Sequence, residues 1–339
     1  MKTLNNTKAI LSGILMIGLA VFTSCSKSDD DTEPKQKQTV VYTAGAELGK
    51  AVVRKNGEVL YTIANGSASS GAFSVFVSGK DVYVAGSEKG ASGNSIAKVW
   101  KNGSELYTLT DGSHTATATS IFVSGNDVYT SGFEDHVRYY AMMWKNSTPT
   151  TLSLPTTSSV AKGIYVSEGN VYVAAGMNNQ AVVYKNAMTL YTLTDEEDVS
   201  QANAVFVSDN DVYAVGYENK HANSVAKVWK NGSVFATLSD GTNEVQANAV
   251  YVTGNDVYVV GAEYYDFTAG KIVAKIWKNG VATNLSDASD GFYAFSVYVF
   301  NNDVYVAGGN STGTGIVWKN GQILYTTPGM IRSVFVVEE

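Results

Sequence analysis

From Val40 to the C-terminus the chain is a succession of short apolar runs, rich in Val, Tyr and Phe, separated by clusters of Gly, Asn, Asp and Ser. Runs of that length and composition, bounded by turn residues, read as β-strands. One unit is legible at residues 204–238. It opens with Ala204-Val205-Phe206-Val207, turns at Ser208-Asp209-Asn210-Asp211, and continues as Val212-Tyr213-Ala214-Val215-Gly216. After a variable loop come Val225-Ala226-Lys227-Val228-Trp229, the turn Lys230-Asn231-Gly232, and Val234-Phe235-Ala236-Thr237-Leu238. Asn-Gly between apolar runs is a strong hairpin signal, because both central residues of a type I′ turn need positive φ. It recurs at Asn56-Gly57, Asn102-Gly103, Asn231-Gly232, Asn279-Gly280 and Asn320-Gly321, and degenerates at Asn146-Ser147 and Asn186-Ala187.

The tyrosine of the second strand falls at Tyr42, Tyr83, Tyr129, Tyr172, Tyr213, Tyr258 and Tyr305, in steps of 41, 46, 43, 41, 45 and 47 residues. Periods near 40–45 with four short strands per unit are the signature of propeller blades. The first strand also occurs seven times, at Phe76, Phe122, Tyr165, Phe206, Tyr251, Tyr298 and Phe335, but its last copy, Ser333-Val334-Phe335-Val336, ends the chain without partners. The missing partners stand at the start, at residues 41–45, 51–54 and 59–63. Six complete units plus one assembled from both chain ends predict an all-β, seven-bladed β-propeller of four-stranded antiparallel blades. Closure removes the free sheet edges that an open array exposes. The arrangement resembles bacterial β-propeller repeat proteins and, more distantly, WD40-type propellers. There too an inner strand is followed by a second ending in Gly, a third ending in an aromatic and a turn, and an outer fourth. The resemblance covers residues 40–339 and implies architecture without chemistry, because propellers host binding, scaffolding and catalysis alike.

The 339 residues include 24 Lys plus Arg against 31 Asp plus Glu, a net charge of −7 with no clustered basic stretch. That balance excludes recognition of a phosphate backbone, so no nucleic-acid partner is expected. Hydrophobic residues at 45 % and charged ones at 16 % exclude disorder for the bulk of the chain. The N-terminus is different. Lys2 and Lys8 accompany an apolar run over residues 9–22 that is short for a membrane span and ends at Phe22-Thr23-Ser24-Cys25, as in a secretory signal. The small residues before Cys25 resemble the lipobox at which bacterial lipoprotein signal peptides are cleaved and the new N-terminal cysteine is acylated, with Phe22 where Leu is commonest. Cys25 is the only cysteine, so no internal disulfide can form. Residues 26–38 are polar and read as a tether. Their acidic cluster, Asp29-Asp30-Asp31 with Glu33, resembles the export signal of surface lipoproteins in Bacteroidetes-type bacteria. The expected organisation is a signal peptide over 1–24, an acylated Cys25 with its tether to 38, and the ring over 39–339, lipid-anchored to the outer membrane and exposed at the surface.

Within the ring, repetition separates structure from candidate chemistry. All five tryptophans share one repeat position, Trp100, Trp144, Trp229, Trp277 and Trp318, with Arg54 and Tyr184 in the other two units; aromatic residues at one place in successive blades read as inter-blade packing. Asp81, Asp127, Asp211, Asp256 and Asp303 repeat between the first and second strands and read as turn formers that bond their own backbone. Asp195-Glu196-Glu197-Asp198 breaks the repeat but lacks the ligand spacing and turn glycine of a calcium loop. His114, His136 and His221 are expected in loops of different blades, without metal-ligand spacing. Gly45-Ala46-Glu47-Leu48-Gly49-Lys50 is one residue short of a phosphate loop and leads into a strand. No metal and no cofactor is expected.

What varies is expected on one face, built from the loops between second and third strands and those entering the next inner strand. Tyr139, Tyr140, Tyr264, Tyr265, Phe267, Phe292 and Tyr293 stand there outside the repeat. The position two before each inner-strand apolar start holds Phe73, Thr119, Lys162, Asn203, Asn248, Phe295 and Arg332, which propeller geometry places around the channel mouth. Two aromatics, two amides and two cations there could stack on a ring and hydrogen-bond hydroxyls or a carboxylate. The expected function is that of a non-catalytic surface lipoprotein binding a glycan or a protein partner through this face. A structural envelope scaffold is one alternative. A propeller-type polysaccharide lyase or glycoside hydrolase is the other; it needs paired carboxylates about 5–10 Å apart, or a Tyr or His base beside a charge neutraliser, and no unique carboxylate pair stands out.

Overall fold

The structure is a computed structural model that describes residues 37–63, 69–154, 156–197, 199–220, 223–266 and 269–339. Cys25, the signal segment and most of the tether lie outside the described residues, as do His221 and Phe267. Residues Gln38–Glu339 form one compact unit.

The apolar runs do form strands, and among the described residues seven antiparallel four-stranded sheets account for all of them. We number the blades 1 to 7 from the one holding the chain ends. Blade 2 is representative, with Ser70–Ser78, Asp81–Lys89, Ser95–Lys101 and Ser104–Thr108 following one another from the inside outwards. Each inner strand packs against the inner strands of both neighbouring blades, so the seven close into a ring. In blade 1 the innermost strand is the C-terminal Met330–Glu338, and Thr39–Glu47, Lys50–Lys55 and Glu58–Ile63 lie outside it in that order. The ends are clasped. The Gln38 N–H donates to the Glu339 carbonyl at 2.7 Å, and the Glu339 N–H returns the bond at 3.0 Å. The Tyr42 hydroxyl and the Lys55 ammonium reach the two carboxylate oxygens of Glu339, each at 2.5 Å.

The apolar core lies in the seven interfaces between successive blades. Between blades 5 and 6, Tyr213, Val215 and Val228 meet Val250, Val252 and Trp277, and the seam between blades 7 and 1 is built the same way from Tyr305, Val317, Val334 and Val336. The five tryptophans are 0–3 % exposed, as inter-blade packing requires. In blade 1 the buried Arg54 takes their place, paired with Glu47 and donating to the Pro328 carbonyl of blade 7 at 3.1 Å.

The face opposite the variable loops is held by a repeated clamp. In blade 2, Asn102 sits at φ 51° and Gly103 at φ 81°, and the Asn102 side-chain oxygen accepts the Val82 N–H at 2.8 Å. Its amide donates to Asp81 at 2.8 Å, and Lys101 pairs with the other Asp81 oxygen at 2.8 Å. Blades 3, 5, 6 and 7 repeat this at Asp127, Asp211, Asp256 and Asp303. The repeated aspartates therefore tie one turn to the next strand pair instead of bonding their own backbone, because the Asn and Lys of the outer turn come within reach of each carboxylate. The degenerate pair Asn186-Ala187 keeps the same turn, with φ of 50° and 66°. A left-handed alanine is strained by roughly 1 kcal/mol, so Ala187→Gly is expected to raise stability by about 0.5–1 kcal/mol, read as a higher urea midpoint at unchanged slope.

Candidate functional site

Each inner strand starts on the variable-loop face, and each carries one residue too many for its ladder. The pairing with the second strand skips one inner-strand residue, passing from Ala72 to Ser74, Ala118 to Ser120, Ala161 to Gly163, Ala202 to Ala204, Ala247 to Ala249, Ala294 to Ser296 and Ile331 to Ser333. The unpaired residues are Phe73, Thr119, Lys162, Asn203, Asn248, Phe295 and Arg332. A bulge bends its strand and re-aims a side chain, and here seven bulges aim seven side chains at one axis. All seven line a single cavity of about 570 Å³, within the range of small-ligand sites. The recurrent glycine of the second strand makes room for the bulge. A Cβ on Gly86 would stand 2.0 Å from the Gly71 carbonyl oxygen, and one on Gly216 1.9 Å from that of Gln201.

Three residues further along each inner strand, the channel narrows at a ring of aromatics. Phe76, Phe122, Tyr165, Phe206, Tyr251, Tyr298 and Phe335 each touch both neighbours, with ring centroids 4.6–5.1 Å apart. Angles between neighbouring planes run from 43° to 59°, about one seventh of a full turn each. Burial raises the hydroxyl pKa of Tyr165, Tyr251 and Tyr298 above the ordinary tyrosine value. This waist floors the well. The sequence marked these seven positions as a repeat, but recurrence alone does not separate a channel lining from a blade interface.

The seven well residues divide into two kinds. Thr119, Asn203 and Asn248 donate to the carbonyls of Ala161, Ala247 and Ala294 in the next blade, at 3.0, 2.8 and 2.8 Å. One side-chain donor of each holds blades together. In other seams a serine after the bulge does this, Ser74, Ser296 and Ser333 accepting the N–H of Ile121, Val334 and Val75. Blades 4 and 5 meet instead at Gly163, where a Cβ would come within 2.9 Å of the Ala204 Cα. Phe295 is also engaged, by the Arg332 guanidinium at 4.4 Å and by Tyr293 stacked at 5.6 Å and 10°. Tyr264 extends the column, edge-on to Tyr293 at 5.9 Å. Phe295 and the two amides thus also have partners within the protein. Phe73, Lys162 and Arg332 face the cavity without a hydrogen-bonded side-chain partner among the described residues, together with the oxygen and second N–H of Asn203 and Asn248.

Among the described residues no carboxylate lines the well. The Lys162 side chain is reached by solvent yet surrounded by the walls, and burial, followed by the charge of Arg332, lowers its pKa below the ordinary lysine value. Burial likewise lowers that of Arg332, partly offset by Tyr293.

Other candidates fall elsewhere. Tyr139 and Tyr140 begin the strand Tyr139–Lys145, Tyr264 and Tyr265 end Asp256–Asp266, and Phe292 and Tyr293 begin Phe292–Phe300. They are strand ends, because pairing continues past the repeat into what reads as loop, and Phe292 packs edge-on against Trp318. His114 and His136 do not belong to different blades. They flank the hairpin of Thr115–Ser124 and Asp127–Asp135 with ring centroids 3.9 Å apart, and His136 Nε2 lies 3.2 Å from Glu134. Among the described residues no three His, Cys, Asp or Glu are arranged to hold a metal. Leu48 and Gly49 form a hairpin turn at φ 48° and 75°. The sequence matches no family model and no curated protein.

Proposed function

We propose that the ring is the non-catalytic binding module of a surface lipoprotein, holding a glycan in the well on its variable-loop face. One observation carries this reading. Strands, hairpin positions and the aromatic waist repeat blade by blade, whereas the seven bulge positions, converging on one cavity, hold Phe, Thr, Lys, Asn, Asn, Phe and Arg. A rigid scaffold that varies where its side chains converge is built to recognise something. An open aromatic face suits the C–H face of a sugar, and acceptor oxygens suit its hydroxyls.

The test is binding of the soluble ring, residues 38–339, to a panel of polysaccharides and oligosaccharides. Phe73→Ala/Phe295→Ala removes the open aromatic face and the support under Arg332, and it is expected to weaken binding at least tenfold, since each lost aromatic contact is worth about 1 kcal/mol or more. Unchanged binding would contradict a site in the well. For the anchor, Cys25→Ser in the full chain is expected to move the protein from the membrane fraction to the soluble one and to abolish acyl labelling. Retention in the membrane would contradict lipidation at Cys25.

A further inference from the structure

We propose that the ligand of the well is an acidic sugar, its carboxylate held between Lys162 and Arg332. This rests on the glycan reading above and specifies its chemistry. In blade order the well residues run Arg332, Phe73, Thr119, Lys162, Asn203, Asn248, Phe295. The two cations stand in blades 1 and 4, on opposite sides of the axis.

Among the described residues neither cation has a carboxylate partner, whereas eight lysines of the blades do. Lys98, Lys227 and Lys275 are paired with Glu88, Glu218 and Glu263 in enclosed positions, and Lys101, Lys145, Lys230, Lys278 and Lys319 are paired with the clamp aspartates. In a chain of net charge −7, two positive charges face each other across its central cavity. Charges in a walled cleft interact more strongly than at an open surface. An anion between Lys162 and Arg332 replaces their repulsion with two attractions, and the Arg332 fork matches a planar carboxylate.

The amides say what else the ligand carries. Asn203 and Asn248 each spend one side-chain N–H on a neighbouring carbonyl, Gln201 donates to Ala202 at 2.8 Å, and Gln246 donates to Glu244 at 2.9 Å. Each of these four amides keeps its oxygen and a second N–H. An amide oxygen beside an N–H suits hydroxyls, which both donate and accept, and which a simple inorganic anion does not supply. A ring bearing both hydroxyls and a carboxylate satisfies acceptors and cations together, and Phe73 offers its apolar face a surface.

The experiment is calorimetric titration of the ring, residues 38–339, with short oligomers of galacturonate, glucuronate and mannuronate, each beside its methyl ester, and with inorganic phosphate. At least one acid form is expected to bind tenfold or more tightly than its ester, with affinity falling as salt rises and with phosphate a poor competitor. Lys162→Gln and Arg332→Gln are each expected to cost the acid form at least tenfold and to narrow the ratio between acid and ester affinity. Without ligand, both variants are expected to keep one cooperative melting transition within a few degrees of the parent, which shows that they fold. Esters or neutral sugars binding as tightly as acids, or phosphate competing as well as the sugar, overturns this inference and leaves the glycan reading standing. Failure of every sugar, acidic and neutral, overturns both.

Discussion

Removal of residues 334–339 is expected to abolish the folded ring, not to fray one edge of it. The deletion takes the partners of Thr39–Thr43 out of blade 1 and withdraws Val334 and Val336, 4 % and 1 % exposed, from the seam with blade 7. Phe335 leaves the waist, where it touches Phe76 and Tyr298 at 4.7 Å each, and the Glu339 clasp goes with it. Two buried valines, with Phe335 and Val337 half buried, amount to roughly 5–10 kcal/mol of lost burial, comparable to the whole stability of a typical domain at about 5–15 kcal/mol. The strand Thr39–Glu47 would also present a bare edge, which promotes aggregation. Loss of the cooperative thermal transition and of monomeric soluble protein is expected. A truncated ring that still melts cooperatively within a few degrees of the parent would show that the C-terminal strand does not close it.

Gly216→Ala is expected to cost about 3 kcal/mol, a large effect for one methyl group. The added Cβ would stand 1.9 Å from the Gln201 carbonyl oxygen and 3.0 Å from the Ala202 Cα. Both are backbone atoms of the bulged inner strand, so no side chain can turn aside. Relief requires the bulge to shift, which pulls Asn203 away from the Ala247 carbonyl. Blade 4 differs, with Ala175 opposite Ala161 in the equivalent pair. Ala175→Gly is accordingly expected to lose only about 0.5–1 kcal/mol through added backbone freedom. Denaturant midpoints of both variants check the contrast, and a mild effect of Gly216→Ala would mean that the bulge is not held by its glycine.

Blade number and closure were legible because both follow from counting. A seven-fold repeat whose last copy lacks three strands can close only with three strands from the start. The well residues were also legible, since a constant offset from a repeated strand lands at a constant place in each blade. What could not be read was their engagement. The run Ala202-Asn203-Ala204 looks like uninterrupted strand, and only the pairing register shows Asn203 unpaired. The partner of its amide lies in the next blade, 44 residues away. Phe295 looked free because the stack of Tyr293 and Arg332 on it depends on where two blades meet. His114 and His136, 22 residues apart in sequence, become neighbours only once the hairpin between them is registered. The waist was hidden for a different reason, as a repeated Phe or Tyr serves equally in a blade interface or around an axis.

The central claim is that recognition takes place in the well and not on the outer rim. The most direct measurement compares glycan binding by two variants of the ring under one set of conditions. One carries Phe73→Ala, Lys162→Ala and Arg332→Ala; the other carries Tyr139→Ala and Tyr265→Ala, two exposed aromatics of the variable face, 42 % and 47 % accessible. The account predicts that the well variant, with an unchanged thermal transition, loses binding while the rim variant keeps it. Binding kept by the well variant and lost by the rim variant would contradict it.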